Sequence, residues 1–279
     1  MGDFFFNLGR SVSASARKGK WLWQSLTGSE EDRIAAEFES GADLARQFAA
    51  EAPILREPML AQVIDHVGGQ LAARVKNKQR KFTFAVVQMP EPNAFALPGG
   101  FIFITTGLLE LCGMLRATAG SLTGQGEIPA ASGGDAPATG AGGSQITIAV
   151  TATTQACEEL AFVLGHEMAH VIRGHAFDRM VNSTVVNTAA KAIPIGGMLG
   201  RMVVQAGLKF AHSAYSHEHE FEADELGVRL AAAAGYDPTA ATRMLERLGR
   251  LDAAAGGLGD YFRSHPPFKQ RIDAIRKLT

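Results

Sequence analysis

The chain has 279 residues, 46% hydrophobic and 20% charged, with a formal net charge of −1. That length allows one large domain or a domain with appendages, and the apolar fraction suffices for a sizeable core. A charge near zero excludes the broad basic face that nucleic acid requires, and two cysteines, Cys112 and Cys157, make no disulfide framework; two buried thiols are expected.

Residues 1–28 form an aromatic and basic N-terminal segment, with Arg10, Arg17, Lys18 and Lys20 beside Trp21 and Trp23. Residues 1–26 suit a membrane interface, a cover over a groove, or a loosely held tail. Asp3 precedes every basic residue and the FFF run is short, so no signal peptide is expected. No stretch of 18 apolar residues suggests a span, which points to a cytoplasmic or peripheral membrane protein.

The remaining chain, 29–279, reads as one domain with an insertion at 116–156. Ser29 caps a helix that stops before Pro53, and a second helix opens at Pro58 with Leu60, Val63, Ile64, Val67 and Leu71 on one stripe. KFTFAVVQM (81–89) is a strand; FALPGGFIFITTGLLELC (95–112) reads as strand, turn, strand and a helix capped by Thr105 or Thr106. Residues 116–156 are dominated by Gly, Ala, Ser, Thr and Pro and are expected to form a loose surface loop, with 145–155 available as an edge strand.

The helical run EELAFVLGHEMAHVIRGH (158–175) carries an H-E-x-x-H motif at His166, Glu167 and His170. One turn of helix puts both histidines on the same face, so both rings can reach one metal ion, and Glu167 is placed to hold a water and take its proton. This is the arrangement of a zinc-dependent hydrolase. Residues 177–214 are too broken by glycine and too charged to span a membrane; two amphipathic helices on the core are expected, or a membrane-facing patch within 181–210. YSHEHEFEADELG (215–227) begins another helix, on which Glu220 and Asp224 share a face. One of the two can complete the metal site while the other accepts the outer ring proton of a ligating histidine; periodicity does not choose. A helix follows Pro238, the chain loosens near 253–260, and His265, fixed by Pro266 and Pro267, precedes a closing helix at 269–278.

HEMAH (166–170) followed some fifty residues later by ExEAD (220–224) resembles the membrane-associated gluzincin peptidases. That family includes the prenyl-protein endoprotease, the bacterial heat-shock membrane protease, and mitochondrial and envelope quality-control proteases. NAFALPGGFIFITTGLLE (93–110) and SHPPFKQRI (264–272) are similar to two further family segments. The resemblance implies an α+β, mostly helical, zincin-like metalloprotease domain with a small β-sheet beside the HExxH helix. It implies one zinc ion per chain held by His166, His170 and Glu220, with Asp224 supporting a ligand and Glu167 as general base. His265 and Arg271 are expected to approach the cleft, either holding the developing oxyanion or, for His265, keeping the enzyme latent; His265 alternatively packs against Tyr261 or Phe262, and Arg271 alternatively binds a buried carboxylate such as Asp224. The sheet edge at Ala96, Leu97, Gly99, Gly100 and Phe101 is expected to take a protein or peptide substrate by strand addition. The competing reading is a chaperone-like or peptide-binding module with a latent zinc site.

Overall fold

The computed structural model describes residues 29–118, 147–180, 215–255, 265 and 268–279. The readings for residues 1–26, the centre of the insertion, 181–214, 256–260 and the two prolines after His265 lie outside the described residues.

Alternating apolar side chains build a sheet buried on both faces. Its strands are β1 (Ile54–Leu55), β2 (Thr83–Val87), β3 (Ala94–Leu97) and β4 (Phe101–Thr105), in the order β1-β2-β4-β3. β2 runs parallel to β4, and β1 and β3 are antiparallel to their neighbours. Successive residues of a strand point to opposite faces. Val86, Ala94, Ala96, Ile102 and Ile104 therefore enter one core cluster, while Val87, Phe95, Leu97, Phe101 and Phe103 enter another.

Helix α1 (Glu30–Glu51) covers the second face. It opens with Ser29 and Asp32 in a reciprocal capping box and ends before Pro53. Its Phe48 meets Phe95 and Phe103 at 5.4 and 4.7 Å between ring centroids. The turn at Pro98–Gly100 is packed so closely that only glycine fits at its last two positions, and a Cβ on Gly99 would lie 2.5 Å from the Phe38 Cα of α1. Gly99 and Gly100 have φ of 77° and 91°, and a Cβ on Gly100 would lie 2.0 Å from the Lys81 carbonyl oxygen.

The first face is covered by α2 (Pro58–Ala72) and by α4 (Thr154–Ile172), the helix carrying HExxH. The short α3 (Thr106–Leu111), capped by Thr105, follows β4. Then β5 (Leu115–Thr118) pairs antiparallel with β6 (Thr147–Val150), so the two ends of the insertion are tied together as a stem. The expectation of a loose loop over all of 116–156 is corrected at its ends: Thr153 caps α4 and the helix begins at Thr154. Cys112 is buried, with burial pushing its thiol up to about 12, whereas Cys157 is only partly buried; both are free.

Helices α5 (His217–Ala233), α6 (Ala240–Ala255) and α7 (Phe268–Ile275) complete the described chain. Met244, Leu245 and Leu248 of α6 and Ile275 of α7 join the same core as α4. The domain is α+β and mostly helical, with its small sheet beside α4. Among the described residues, no helix is long and apolar enough to cross a membrane.

Candidate metal centre

Two glycines set how the site is assembled. Helices α4 and α5 cross at Gly165 and Gly227. A Cβ on Gly165 would lie 2.9 Å from the Gly227 carbonyl oxygen, and a Cβ on Gly227 would lie 2.8 Å from the His166 nitrogen. Any larger residue at either position would push the backbones apart. Immediately beside this crossing, the i, i+4 pair His166 and His170 faces the i, i+4 pair Glu220 and Asp224, and all four side chains are buried. His265, also buried, closes the group from the C-terminal side.

Four donor atoms converge. His170 Nε2 lies 3.1 Å from His166 Nε2 and 3.3 Å from Glu220 Oε1. His265 Nδ1 lies 3.4 Å from His166 Nε2 and 2.8 Å from Glu220 Oε1, and His166 Nε2 is 3.7 Å from Glu220 Oε2. Bonds of about 2.0–2.1 Å from tetrahedral zinc to nitrogen or oxygen imply donor separations of about 3.3 Å. The observed spacings bracket that length, so the residues present fit a tetrahedral ion with His166, His170, Glu220 and His265 around it.

The outer nitrogens of both helix histidines are also held. His166 Nδ1 lies 2.9 Å from Asp224 Oδ1, and His170 Nδ1 lies 3.1 Å from His175 Nδ1. The Tyr215 ring stacks on His170 at 3.7 Å and 11°, and the Arg179 guanidinium lies 4.0 Å over the same tyrosine ring. Glu167 is fully buried, and neither carboxylate oxygen has a hydrogen-bond partner. Burial raises its pKa to about 7, against the pull of His166, Arg179 and the Ala96 backbone. A cation among the donors would pull it down again. Burial drives His170 well below the ordinary histidine range and, with repulsion from His219 and Arg173, holds His175 down at about 4. Burial opposes ionisation of Glu220 and Asp224 too. Glu220 is nonetheless held well below the carboxylate range by His265, Arg271 and His170, and Asp224 is lowered by Arg271 and His166.

Arg271 is fully buried and turned onto these carboxylates. Its Nε and Nη2 donate to the two oxygens of Asp224 at 2.7 Å each, Nη1 lies 2.8 Å from Glu220 Oε2, and Nη1 also donates to the His265 carbonyl at 3.3 Å. This geometry favours the carboxylate-binding role over the oxyanion role. Glu222, two residues beyond Glu220, is half exposed and faces Arg173 and His175 instead of the donors.

The residues expected to line the sheet edge divide into two groups. Ala96 and Leu97 belong to β3, the strand beside α4, and the Ala96 carbonyl points off the sheet toward Arg179 Nη2 at 3.5 Å. Gly99 presses on α1, Gly100 on Lys81, and Phe101 packs on Phe38 at 5.4 Å. His175, Arg179 and Tyr215 are site neighbours that pattern reading missed. His175 follows Gly174, a helix-ending signal, at a spacing that an unbroken helix would send elsewhere.

A family profile described as Peptidase family M48 matches residues 58–279. The mitochondrial metalloendopeptidase OMA1 of Schizosaccharomyces pombe is 31% identical over 71% of this chain and 46% of its own length. The beta-barrel assembly-enhancing protease of Escherichia coli K12 is 24% identical over 84% of this chain and 40% of its own. The metalloprotease LoiP of the same strain is 29% identical over 42% of this chain and 48% of its own. The chain spans less than half the length of each of these relatives.

Replacing Arg271 separates a carboxylate clamp from a group that acts only on substrate. Arg271→Met leaves Asp224 and Glu220 buried without their cation. The expected cost is about 3–5 kcal/mol, or on the order of 10 °C in Tm, and it is present in the zinc-free protein. Thermal melts in chelator check this; an unchanged Tm with lowered activity would instead assign Arg271 to the reaction.

Proposed function

The chain belongs to peptidase family M48, and on that premise we propose that it is a zinc-dependent endopeptidase that cuts unfolded or extended protein segments in protein quality control. The observation that carries this reading is the buried cluster of donors from His166, His170, Glu220 and His265, with the buried Glu167 carboxylate beside it. His166, His170 and Glu220 would hold the ion. When bound, zinc supplies the Lewis acidity that makes a water nucleophilic at neutral pH and polarises a carbonyl.

The chain's own groups supply the rest. Glu167, one residue after the first ligand, takes the water's proton and returns it to the leaving amine. A peptide lying extended along β3 would pair with the backbone at Ala96, which carries its scissile bond past α4. Recognition through backbone groups is indifferent to side-chain type, which suits unfolded segments. A module that only held peptides would have no use for a carboxylate buried at Glu167 beside the donors. Residues 1–26 and 181–210 are the segments proposed for peripheral membrane contact.

A specific observation supports a second feature, latency. His265 presents Nδ1 to the donors and lies 3.7 Å through Nε2 from Glu167 Oε1. A neutral imidazole in the fourth position takes the place a water needs. Opening requires that His265 withdraw against the Arg271 bond to its carbonyl, which substrate can favour by binding the open state better.

Glu167→Gln keeps every proposed ligand. Zinc content should match the parent while peptide hydrolysis falls about 10²- to 10⁴-fold. A variant that cleaves casein at the parental rate removes Glu167 as the base. His265→Ala should raise the initial rate on an unstructured peptide at full zinc occupancy. A lowered rate would make the ring a helper of the transition state, and an unchanged one a packing residue.

A further inference from the structure

His175 lies outside HExxH and outside the acidic motif, yet it is 4% exposed and its ring meets a proposed ligand. Its placement is a product of local backbone. α4 ends at Ile172, and Gly174 adopts φ of 82°. A Cβ there would meet nothing within 4 Å, so glycine is required for its conformation and not for space. The helix then resumes over 175–180, with Asp178 N–H donating to the Gly174 carbonyl at 2.9 Å. In an unbroken helix a residue five positions after His170 would lie about 140° round the axis from it. The left-handed turn instead returns the ring to 3.1 Å, Nδ1 to Nδ1.

Two ring N–H groups cannot face each other at that distance, so one of these nitrogens accepts. His170 turns Nε2 to the shared donors, and a nitrogen that ligates a cation carries no proton. Its proton is therefore on Nδ1, and His175 Nδ1 is the acceptor. His175 then carries its own proton on Nε2, which lies 3.6 Å from Glu222 Oε2, while His219 stacks on the ring at 3.9 Å and 18°. His166 receives the same service from Asp224. The two helix histidines are thus held by different chemistry: one by a carboxylate clamped by Arg271, the other by a neutral imidazole.

We propose that His175 is a positioning residue of the metal centre, accepting the Nδ1 proton of His170 and so setting the tautomer and ring plane that aim His170 Nε2 at the donor cluster. The proposal rests on reading the cluster as a zinc site. Partners of this kind typically change metal affinity about 10- to 100-fold when removed. Tyr215 also packs on His170, so the test must distinguish an acceptor from a filler.

Zinc affinity is measured by competition with a chelator for the parent, His175→Leu and His175→Asn, with Tm taken in chelator for each. Leucine keeps volume without an acceptor, and the asparagine oxygen can stand close to where Nδ1 stood. His175→Leu should lose about 10- to 100-fold in affinity with little change in the zinc-free Tm, and His175→Asn should recover most of it. Parental affinity in His175→Leu, or equal losses in both variants, would overturn the proposal. A second measurement uses the parent alone: long-range ¹H–¹⁵N spectra of the zinc-loaded chain should show His170 protonated at Nδ1 and His175 at Nε2. The opposite tautomer at His175 would overturn it even if the leucine variant does not fold. A parent that binds no zinc would remove the metal reading itself, whereas a zinc-binding parent with an indifferent His175 removes only this inference.

Discussion

The separation of α4 and α5 at Gly165 and Gly227 is the constraint on which the site depends. A Cβ at either position would sit 2.8–2.9 Å from the backbone of the other helix. Glycine inside a helix costs about 0.5–1 kcal/mol relative to alanine, and here that cost is offset by an approach no other residue permits. His166 follows Gly165 directly, so the crossing fixes how far its ring stands from Glu220 and Asp224. Donors on two separate helices come within 3.3–3.7 Å because the helices have nothing between them.

Burying that many ionisable groups calls for compensation, and Arg271 supplies it from the far end of the chain. One guanidinium meets two carboxylates and the His265 carbonyl. Helix α5, helix α7 and His265 are therefore joined through a single side chain. Removing one charge from such a group strands the others in the interior, where an unpaired ion costs several kcal/mol. Since Arg271 also holds the backbone of His265, any withdrawal of that histidine is resisted by a bond to the same clamp that steadies Asp224.

Much of this architecture is legible in the sequence because it follows from short-range periodicity. The apolar runs on either side of Pro98-Gly99-Gly100 mark strand, turn and strand, and Ser29 and the Thr105-Thr106 pair mark helix starts. His166 with His170, and Glu220 with Asp224, follow from i, i+4 spacing. What escaped depends on neighbours remote in sequence or on a break in periodicity. The start of α4 at Thr154 is masked by a composition that reads as loop. The close approach of Gly99 to α1 and of Gly100 to Lys81 joins residues far apart in sequence and has no local signal. His175 sits at i+5 from His170 and is brought back only by the positive φ of Gly174. The contacts of Arg271 with Asp224 and Glu220 depend on α7 docking beside α5, which no local pattern encodes.

X-ray absorption at the zinc K-edge, with metal content measured on the same purified chain, tests the central claim most directly. The account predicts one zinc per chain with four nitrogen or oxygen neighbours at about 2.0–2.2 Å, and loss of the ion in Glu220→Gln but not in Glu222→Gln. Absence of zinc, a sulfur shell at about 2.3 Å, or zinc retained at parental affinity in Glu220→Gln would contradict it.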